Sequence, residues 1–222
     1  MTILMIKSSS DIEQGMRFLE KTDQDLAKII DKEGPCRLKI DRKTPYDALL
    51  QAIAGQQLHA NAANAILNRL KLANSGALPD PKTLLKLSPV QLRDCGFSFR
   101  KIDSLYALAM ATLDGIVPSY EEALTLSDQD LIDRITVLPG IGCWTVEMLL
   151  IFTLGRMDIM PKDDFGIREG WRICKNLALQ PKPKQLEIAT KIWSPFRTIG
   201  AWYLWRAVEQ SKPLNKRNLL TL

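Results

Sequence analysis

Apolar residues recur at intervals of three and four along most of this 222-residue chain, the spacing that places them on one face of an α-helix. We find no convincing strand pattern and no internal repeat. The pattern predicts helices over about residues 11–33 (as one helix or two), over 46–54, and from the residues after His59 to the closing Asn74-Ser75-Gly76. Further helices are predicted over 82–86, 89–94, 100–113, 119–124, 127–135, 143–154, 165–177, 184–193 and 196–210.

Residues at the segment boundaries support these limits. Thr44-Pro45 and Ser88-Pro89 each combine a good N-cap residue with proline at the first helical position, where its missing N–H costs nothing. Gly34-Pro35 ends the first helical segment. Since helical segments joined by short loops account for most of the chain, we predict an all-α fold.

Length and charge narrow the class of protein only slightly. A chain of this length suits one domain, or two lobes that share a core. It carries 30 Lys and Arg against 25 Asp and Glu, a net charge of +5. This mildly basic balance fits a phosphate-bearing partner but is common among proteins of other kinds.

The cysteines and the N-terminus exclude several classes. Cys36, Cys95, Cys143 and Cys174 form no CxxC pair, so neither a zinc site nor an iron–sulfur cluster has the spacing it needs, and we expect no metal or organic cofactor. The stretch Met1–Lys7 is too short for a secretory signal. No run of about 18 apolar residues exists, so no membrane span is expected.

The most informative stretch is Leu138-Pro139-Gly140-Ile141-Gly142-Cys143-Trp144-Thr145, which lies between two helical segments. Pro139 ends the first helix, and the glycines allow a tight reversal before the next helix opens at about Gly142. The first N–H groups of that helix lack intrahelical partners and lie at its positive end. This pattern predicts a helix-hairpin-helix that grips a nucleic-acid backbone; an ordinary Pro-Gly turn between core helices is the alternative.

The hairpin and an acidic pair downstream of it together resemble a known family. Leu-Pro-Gly-Ile-Gly-x-Trp-Thr followed by Asp163-Asp164 is similar to the helix-hairpin-helix/Gly-Pro-Asp superfamily of DNA glycosylases, and within it to the DNA-3-methyladenine glycosylase II family. The resemblance implies two helical lobes with an active-site cleft between them. The termini, about 1–40 and 165–222, would form one lobe and about 41–164 the other, in a compact form without the N-terminal β-domain of larger relatives.

The resemblance also implies an activity. It predicts a base-excision repair enzyme that flips alkylated purines, 3-methyladenine and 7-methylguanine, out of the duplex and hydrolyses the N-glycosidic bond to leave an abasic site. The second residue of the acidic pair, Asp164, would be the catalytic carboxylate. Either Asp163 or Asp164 is also a good helix N-cap, and a purely structural cap is the alternative role.

Aromatic residues are predicted to form the base pocket. Relatives that also cut the DNA backbone carry lysine where this chain has Trp144, so the resemblance implies a monofunctional enzyme without lyase activity. An indole at this position suits a cationic base, although a core tryptophan is the alternative. Phe165 and Trp202 are weaker pocket candidates, for which a core position is the alternative. The spacing of Trp193, Trp202, Tyr203 and Trp205 mostly indicates core positions.

Further residues are predicted to contact DNA. The loop Gly55-Gln56-Gln57-Leu58-His59 resembles the segment that carries the family's wedge, with Gln57 or Leu58 filling the gap left by the flipped base. His59 would donate to a base edge in the minor groove, and a surface or helix-capping role is the alternative. Residues expected to bind phosphate are Gly140, Gly142, Cys143, Thr145 and Arg197. Arg197 could instead brace Asp164, and a solvated or intramolecular salt bridge is the further alternative. The resemblance also allows a monovalent cation at the carbonyls of Leu138 and Ile141.

The expected partner is double-stranded DNA containing alkylated bases, bound by a monomer away from any membrane. The expected location is the cytoplasm or nucleoid in a bacterium and the nucleus in a eukaryote. Two alternatives remain open: a non-catalytic helix-hairpin-helix protein that binds damaged DNA, and a glycosylase for another lesion. The basic tail, residues 211–222, is expected to be loosely attached.

Overall fold

The computed structural model describes residues 3–211, apart from the side chain of Ala60. Over this range the chain is helical, and its β-structure is limited to one isolated antiparallel bridge between Met5 and Arg156. The predicted all-α fold is therefore confirmed. Residues 212–222, which make up nearly all of the tail, lie outside the described range.

The described residues form α1 (Ser9–Thr22), α2 (Gln24–Glu33), α3 (Pro45–Gly55), α4 (Ala60–Ala73), α5 (Pro81–Leu84), α6 (Pro89–Cys95), α7 (Phe99–Leu113), α8 (Tyr120–Thr125), α9 (Asp128–Ile135), α10 (Cys143–Phe152), α11 (Phe165–Cys174), α12 (Pro183–Ala189), the short 3-10 helix η1 (Thr190–Trp193) and α13 (Arg197–Ser211). The first predicted segment is thus two helices, and the segment predicted over 184–193 changes to a 3-10 turn after Ala189. No described helix is long and apolar enough to cross a membrane.

The break between α1 and α2 lies at Asp23, whose carboxylate caps α2. Its Oδ1 accepts hydrogen bonds from the backbone N–H groups of Asp25 and Leu26, both at 3.1 Å. The same carboxylate accepts from Lys175 Nζ at 2.6 Å and from Trp193 Nε1 at 3.0 Å. Asp23 is 5% exposed, so these four donors compensate for burying its charge.

The chain divides into two compact units. One comprises the residues up to Asp41 together with those from Leu150 onward, and the other is Arg42–Leu149. The second boundary lies within α10, whereas the resemblance placed it near residue 164. The difference arises because the segment after Leu149 bonds to the N-terminal part of the first unit: Asp41 N–H donates to the Phe152 carbonyl at 2.8 Å.

The first unit has a core in which α11 and α13 pack against each other and α13 also contacts α1, α2 and η1. Trp193 and Tyr203 are fully buried here, as their spacing predicted. The rings of Trp171 and Trp193 meet with centroids 5.2 Å apart.

The second unit is built around α3 and α7. Both helices bury their apolar faces completely at Leu49, Leu50, Leu105 and Leu108, and α4, α5 and α6 pack beside them. Burial of each such side chain contributes about 2 kcal/mol. This core holds the end of α3 and the start of α7 in place, which matters for the loop that follows α3.

Candidate functional site

The predicted hairpin is present between α9 and α10, within the unit Arg42–Leu149. The Leu138 carbonyl accepts the Ile141 N–H at 3.2 Å, which closes the turn. The Gly142 carbonyl then accepts from Thr145 N–H at 3.0 Å and from Val146 N–H at 3.3 Å, so α10 begins at Cys143. This agrees with the predicted start near Gly142.

The two hairpin glycines serve different purposes. Gly140 has φ +81°, and a Cβ there would clash with the side chain of Ser104, so the fold itself requires glycine at this position. Gly142 has no positive φ, and a Cβ built on it would meet nothing within 4 Å. The packing of the chain itself therefore does not require glycine at position 142. A backbone without a side chain at this position is instead what the close approach of an external phosphate would require.

The predicted phosphate-binding residues of the hairpin do not all lie at its surface. Gly142 and Cys143 are exposed at the start of α10. Thr145, in contrast, is 4% exposed and its N–H already donates to the Gly142 carbonyl. The structure therefore does not present Thr145 to a phosphate, because the helix has turned this residue into the core by its third position. A cation at the carbonyls of Leu138 and Ile141 stays a prediction.

The predicted wedge loop, Gln56–His59, joins α3 to α4 in the same unit. Gln57, Leu58 and His59 are all exposed, and Leu58 exposes 41% of its surface although it is apolar. Gln57 has φ +58°, a left-handed conformation that non-glycine residues adopt at a cost. His59 occupies the N-cap position of α4 without a side-chain capping hydrogen bond. A loop tip of exposed, medium-length side chains has the form expected of a wedge.

Two residues that the sequence analysis left without a role connect this loop to the hairpin. Gln56 Nε2 donates to the Gly140 carbonyl at 2.8 Å. Lys101 Nζ donates to the carbonyls of Ala54 at 2.8 Å and Gln56 at 2.9 Å. The wedge loop and the hairpin are therefore neighbours joined by hydrogen bonds, which the sequence did not reveal.

Asp164 lies in the other unit, at the N-cap of α11. Its Oδ1 accepts from the Ile167 N–H at 2.8 Å and from Trp205 Nε1 at 3.0 Å. Because this carboxylate accepts the Ile167 N–H, Asp164 is the capping residue of α11, whereas the neighbouring Asp163 is exposed. Two donors of fixed position thus orient this half-buried carboxylate, and capping and a chemical role for Asp164 are compatible.

Trp205 is the residue that the sequence analysis placed in the core and that the structure places against Asp164. Its ring stacks on Phe152 with centroids 5.9 Å apart and an interplanar angle of 26°. Gly166 completes the arrangement, because a Cβ there would lie 3.1 Å from Asp164 Oδ1 and 3.1 Å from Trp205 Cδ1. Nothing in the spacing of Trp205 distinguishes it from the buried Trp193.

The three predicted pocket aromatics differ in exposure. Trp144 is 43% exposed, so the alternative of a core tryptophan is wrong. Phe165 is 67% exposed beside Asp164. Trp202 is half-buried and meets Tyr203 edge-on, with centroids 4.9 Å apart, while Arg206 lies 5.9 Å from its ring. Trp144 and Phe165 therefore each have an exposed part of their side chain, whereas Trp202 is largely covered by its neighbours.

Arg197 does not brace Asp164, and its salt bridge is the alternative that the sequence left open. Its Nε and Nη2 donate to Oδ1 and Oδ2 of Asp158 at 2.6 and 2.9 Å, and Ser194 Oγ donates to Oδ2 at 2.7 Å. Burial alone would raise the pKa of Asp158, but these hydrogen bonds and the charge of Arg197 outweigh it and lower the pKa. The bidentate geometry occupies the guanidinium face that a phosphate would use.

An all-α chain with an exposed helix-hairpin-helix and an N-capping aspartate held by an indole has the features of a base-excision DNA glycosylase. The family model described as "HhH-GPD superfamily base excision DNA repair protein" matches residues 50–195. The chain belongs to this superfamily, as the resemblance in its sequence implied.

Comparisons with individual proteins agree with this membership. The chain is 42% identical to DNA-3-methyladenine glycosylase 1 of Schizosaccharomyces pombe, over 96% of this chain and 95% of that protein. It is 33% identical to the alkylbase DNA glycosidase-like protein mag2 of the same yeast, over 90% and 96%. The S. pombe 3-methyladenine DNA glycosylase solved in complex with abasic DNA superimposes with a TM-score of 0.80 at 43% identity, covering 87% of this chain and 95% of that one.

Proposed function

We propose that this protein is a monofunctional DNA glycosylase that removes alkylated purines from duplex DNA and leaves an abasic site. The proposal is supported by the superfamily membership and by the relative named DNA-3-methyladenine glycosylase 1, which aligns over 96% of this chain. The proposed substrates are 3-methyladenine and 7-methylguanine in double-stranded DNA. The protein acts on them as a monomer, in the compartment that holds the DNA.

The orientation of Asp164 is the observation that carries the chemistry. Alkylation of a purine at N3 or N7 makes the base cationic and a good leaving group, and its departure leaves an oxocarbenium-like sugar. A carboxylate held in one direction stabilises that positive charge without having to reorganise during the reaction. Asp164 meets this requirement because the Ile167 N–H and the Trp205 indole fix its Oδ1 from two sides.

Trp144 supports a reaction that stops at base release. A combined glycosylase and lyase needs an amine that attacks C1′ and forms a Schiff base. An indole has no such amine, but its exposed face suits stacking on a cationic base. We therefore expect the DNA backbone to stay intact until the abasic site is treated with alkali.

The unit Arg42–Leu149 supplies what DNA binding needs. The open start of α10 at Gly142 offers backbone N–H groups to a phosphate without a side chain in the way. The wedge loop offers Gln57 and Leu58 to fill the space of an extruded base, and His59 to meet the acceptors of the minor groove. These roles for the hairpin and the wedge loop are part of the proposal.

The test is release of bases from methylated duplex DNA, with the freed bases resolved and each sample split between alkali and no treatment. The proposal predicts free 3-methyladenine and 7-methylguanine, with strand breaks only after alkali. Salt-sensitive DNA binding without release would favour a non-catalytic binding protein instead. Strand breaks without alkali would show that an amine of this chain performs lyase chemistry.

A further inference from the structure

We propose that Lys101 is a positioning residue that holds the wedge loop, Gln56–His59, in the conformation that extrudes a damaged base, and that Gln56 couples this loop to the hairpin. This inference rests on the proposed function and adds two residues to it. Every contact that supports it lies within the unit Arg42–Leu149.

Lys101 completes the hydrogen bonding of the carbonyl groups at the end of α3. The last carbonyls of a helix have no intrahelical donor and lie at its negative end. Here the Ala52 carbonyl accepts the Gln56 N–H at 3.1 Å, and the Gly55 carbonyl accepts the Leu58 N–H at 3.1 Å. Lys101 Nζ donates to the carbonyls of Ala54 and Gln56. A single ammonium group therefore caps the C-terminal end of α3 and fixes the first peptide of the loop.

The backbone of the next residue in the loop is strained. Gln57 has φ +58°, which costs an L-residue about 1 kcal/mol relative to ordinary backbone. Such a conformation persists only where its surroundings determine it. The carbonyl immediately before Gln57 is the one that Lys101 holds, at 2.9 Å. Releasing it lets Gln57 relax toward negative φ, and this relaxation redirects the tip that carries Gln57 and Leu58.

Gln56 links the wedge loop to the hairpin. The side chain of Gln56 donates to the Gly140 carbonyl at 2.8 Å, while the Ile141 N–H of the same peptide donates to Leu138. Because the C=O and N–H of a trans peptide point in opposite directions, these two bonds fix the orientation of the Gly140–Ile141 peptide. Gln56 thus contacts Lys101 through its backbone and the hairpin through its side chain.

The environment of Lys101 fits a positioning role. Its side chain is half-buried, and burial lowers the pKa of its ammonium group. Among residues 3–211 it forms no ion pair with a carboxylate, and its hydrogen bonds go to the two carbonyls. Ser98 caps α7 and accepts the Lys101 N–H at 3.3 Å, which also fixes the backbone from which the side chain extends. A small cavity of about 160 Å³ lies beside it, lined by Gln57, Arg100 and Gly140 among others.

Two other roles for Lys101 predict different behaviour. A direct phosphate contact would weaken binding to undamaged DNA and lower the salt dependence of that binding by about one unit of slope. A cap that only stabilises the fold would lower Tm without changing base release. A positioning residue changes base extrusion, and does so only while the wedge side chains are present.

The experiment measures single-turnover base release and extrusion for Lys101→Met, which keeps the length of the side chain and removes the donors. Extrusion is followed by the fluorescence of 2-aminopurine placed next to a 7-methylguanine in the duplex. Lys86→Met is the matched control, because Lys86 is an exposed lysine of the same unit with no side-chain hydrogen bond or ion pair in the described residues. Each substitution is made in the wild type and in a Gln57→Ala/Leu58→Ala background.

We expect Lys101→Met to lower single-turnover release and the 2-aminopurine signal about 10-fold in the wild type, as loss of a charge-assisted hydrogen bond would. Its affinity for undamaged duplex and the salt slope stay unchanged. In the background without the wedge side chains the same substitution changes release less than about 2-fold, since little remains to be positioned. Lys101→Arg restores most of the activity, and Lys86→Met matches its parent in both backgrounds.

Equal losses in the two backgrounds, or a loss of affinity for undamaged DNA that accounts for the effect, would overturn the positioning role. If Lys101→Met does not fold, Lys101→Gln, which removes the charge and shortens the reach to the two carbonyls, is measured in the same two backgrounds, and an equal loss in both would overturn the positioning role. Gln56→Leu tests the coupling to the hairpin, because it removes the bond to Gly140 and leaves the carbonyls that Lys101 binds. Normal release by Gln56→Leu would overturn that coupling. Absence of release by the wild-type protein would instead contradict the proposed function.

Discussion

Trp205 donates its indole N–H to Oδ1 of Asp164 across 3.0 Å, and this one bond connects α13 to the first residue before α11. The ring that donates it is itself stacked on Phe152. Asp164 therefore has its direction set by the helix that it caps and by a side chain 41 positions later in the chain. In the proposed reaction, this orientation aims the carboxylate at the developing sugar cation.

Replacing Trp205 by Phe is expected to keep the stacking on Phe152 and remove the donor. Hydrogen bonds to charged groups contribute about 1.5–3 kcal/mol, so we expect kcat for base release to fall about 10-fold or more while affinity for undamaged DNA is kept. Single-turnover kinetics and fluorescence anisotropy measure the two quantities. Phe152→Leu, which keeps the indole donor, should have a smaller effect; an equal effect would mean that packing, and not the hydrogen bond, positions the carboxylate.

The two hairpin glycines are expected to respond differently to alanine. Gly140→Ala places a Cβ at φ +81° against Ser104 and should lower Tm by several degrees, since strain of about 1–2 kcal/mol shifts Tm by that much in a chain of this size. Gly142→Ala meets nothing in the protein and should leave Tm unchanged but weaken binding to undamaged duplex about 10-fold. If Gly142→Ala bound undamaged duplex as tightly as the wild type, the start of α10 would not be the phosphate-binding site.

The Asp158–Arg197 pair predicts a pH dependence of stability. The pKa of Asp158 is lowered in the folded protein, so its carboxylate stabilises the fold above the ordinary Asp range near 4, and this contribution is lost as pH falls through the lowered pKa. Urea unfolding should show Asp158→Asn to be about 1 kcal/mol less stable than wild type at pH 7, with a smaller difference at pH 3. A difference independent of pH would argue against the ion pair as its source.

The cluster at Asp23 is expected to determine the stability of the unit that contains Asp164. Asp23→Asn keeps the shape of the side chain but leaves the partly buried Lys175 without its nearest carboxylate. Breaking a buried pair in this way costs about 3 kcal/mol, which urea unfolding would measure. Asp31→Asn is the control, because Asp31 is exposed on the neighbouring α2. If both substitutions changed the free energy of unfolding by the same small amount, Asp23 would not determine the stability of this unit.

The parts of this molecule that the sequence predicted are those determined locally. Pro139 and the following glycines indicated the hairpin and the start of α10, and the helix boundaries followed from capping residues such as Thr44 and Ser88. Asp164 was identified because a capping aspartate and the family's acidic pair coincide at one position. Each of these features depends on residues within a few positions of one another.

The parts that could not be predicted depend on long-range contacts. Lys101 lies 47 positions from the Ala54 carbonyl that it binds, and Arg197 lies 39 positions from Asp158. No periodicity distinguishes a lysine that binds backbone carbonyls from one that faces solvent, or Trp205 from a core tryptophan. Thr145 was predicted to lie at the surface and bind phosphate, but it is buried. The helix that begins next to the exposed hairpin turns this residue into the core.

In the proposed reaction the carboxylate of Asp164 promotes hydrolysis of the glycosidic bond, and one pair of variants isolates its contribution. Single-turnover release of 3-methyladenine from duplex DNA is measured for Asp164→Asn and for Asp163→Asn, which removes the same charge one residue earlier. We expect Asp164→Asn to lose at least about 100-fold in rate, as for removal of a principal electrostatic group, while still binding DNA, and Asp163→Asn to stay near the wild type. Full release by Asp164→Asn, or equal losses by both variants, would contradict it.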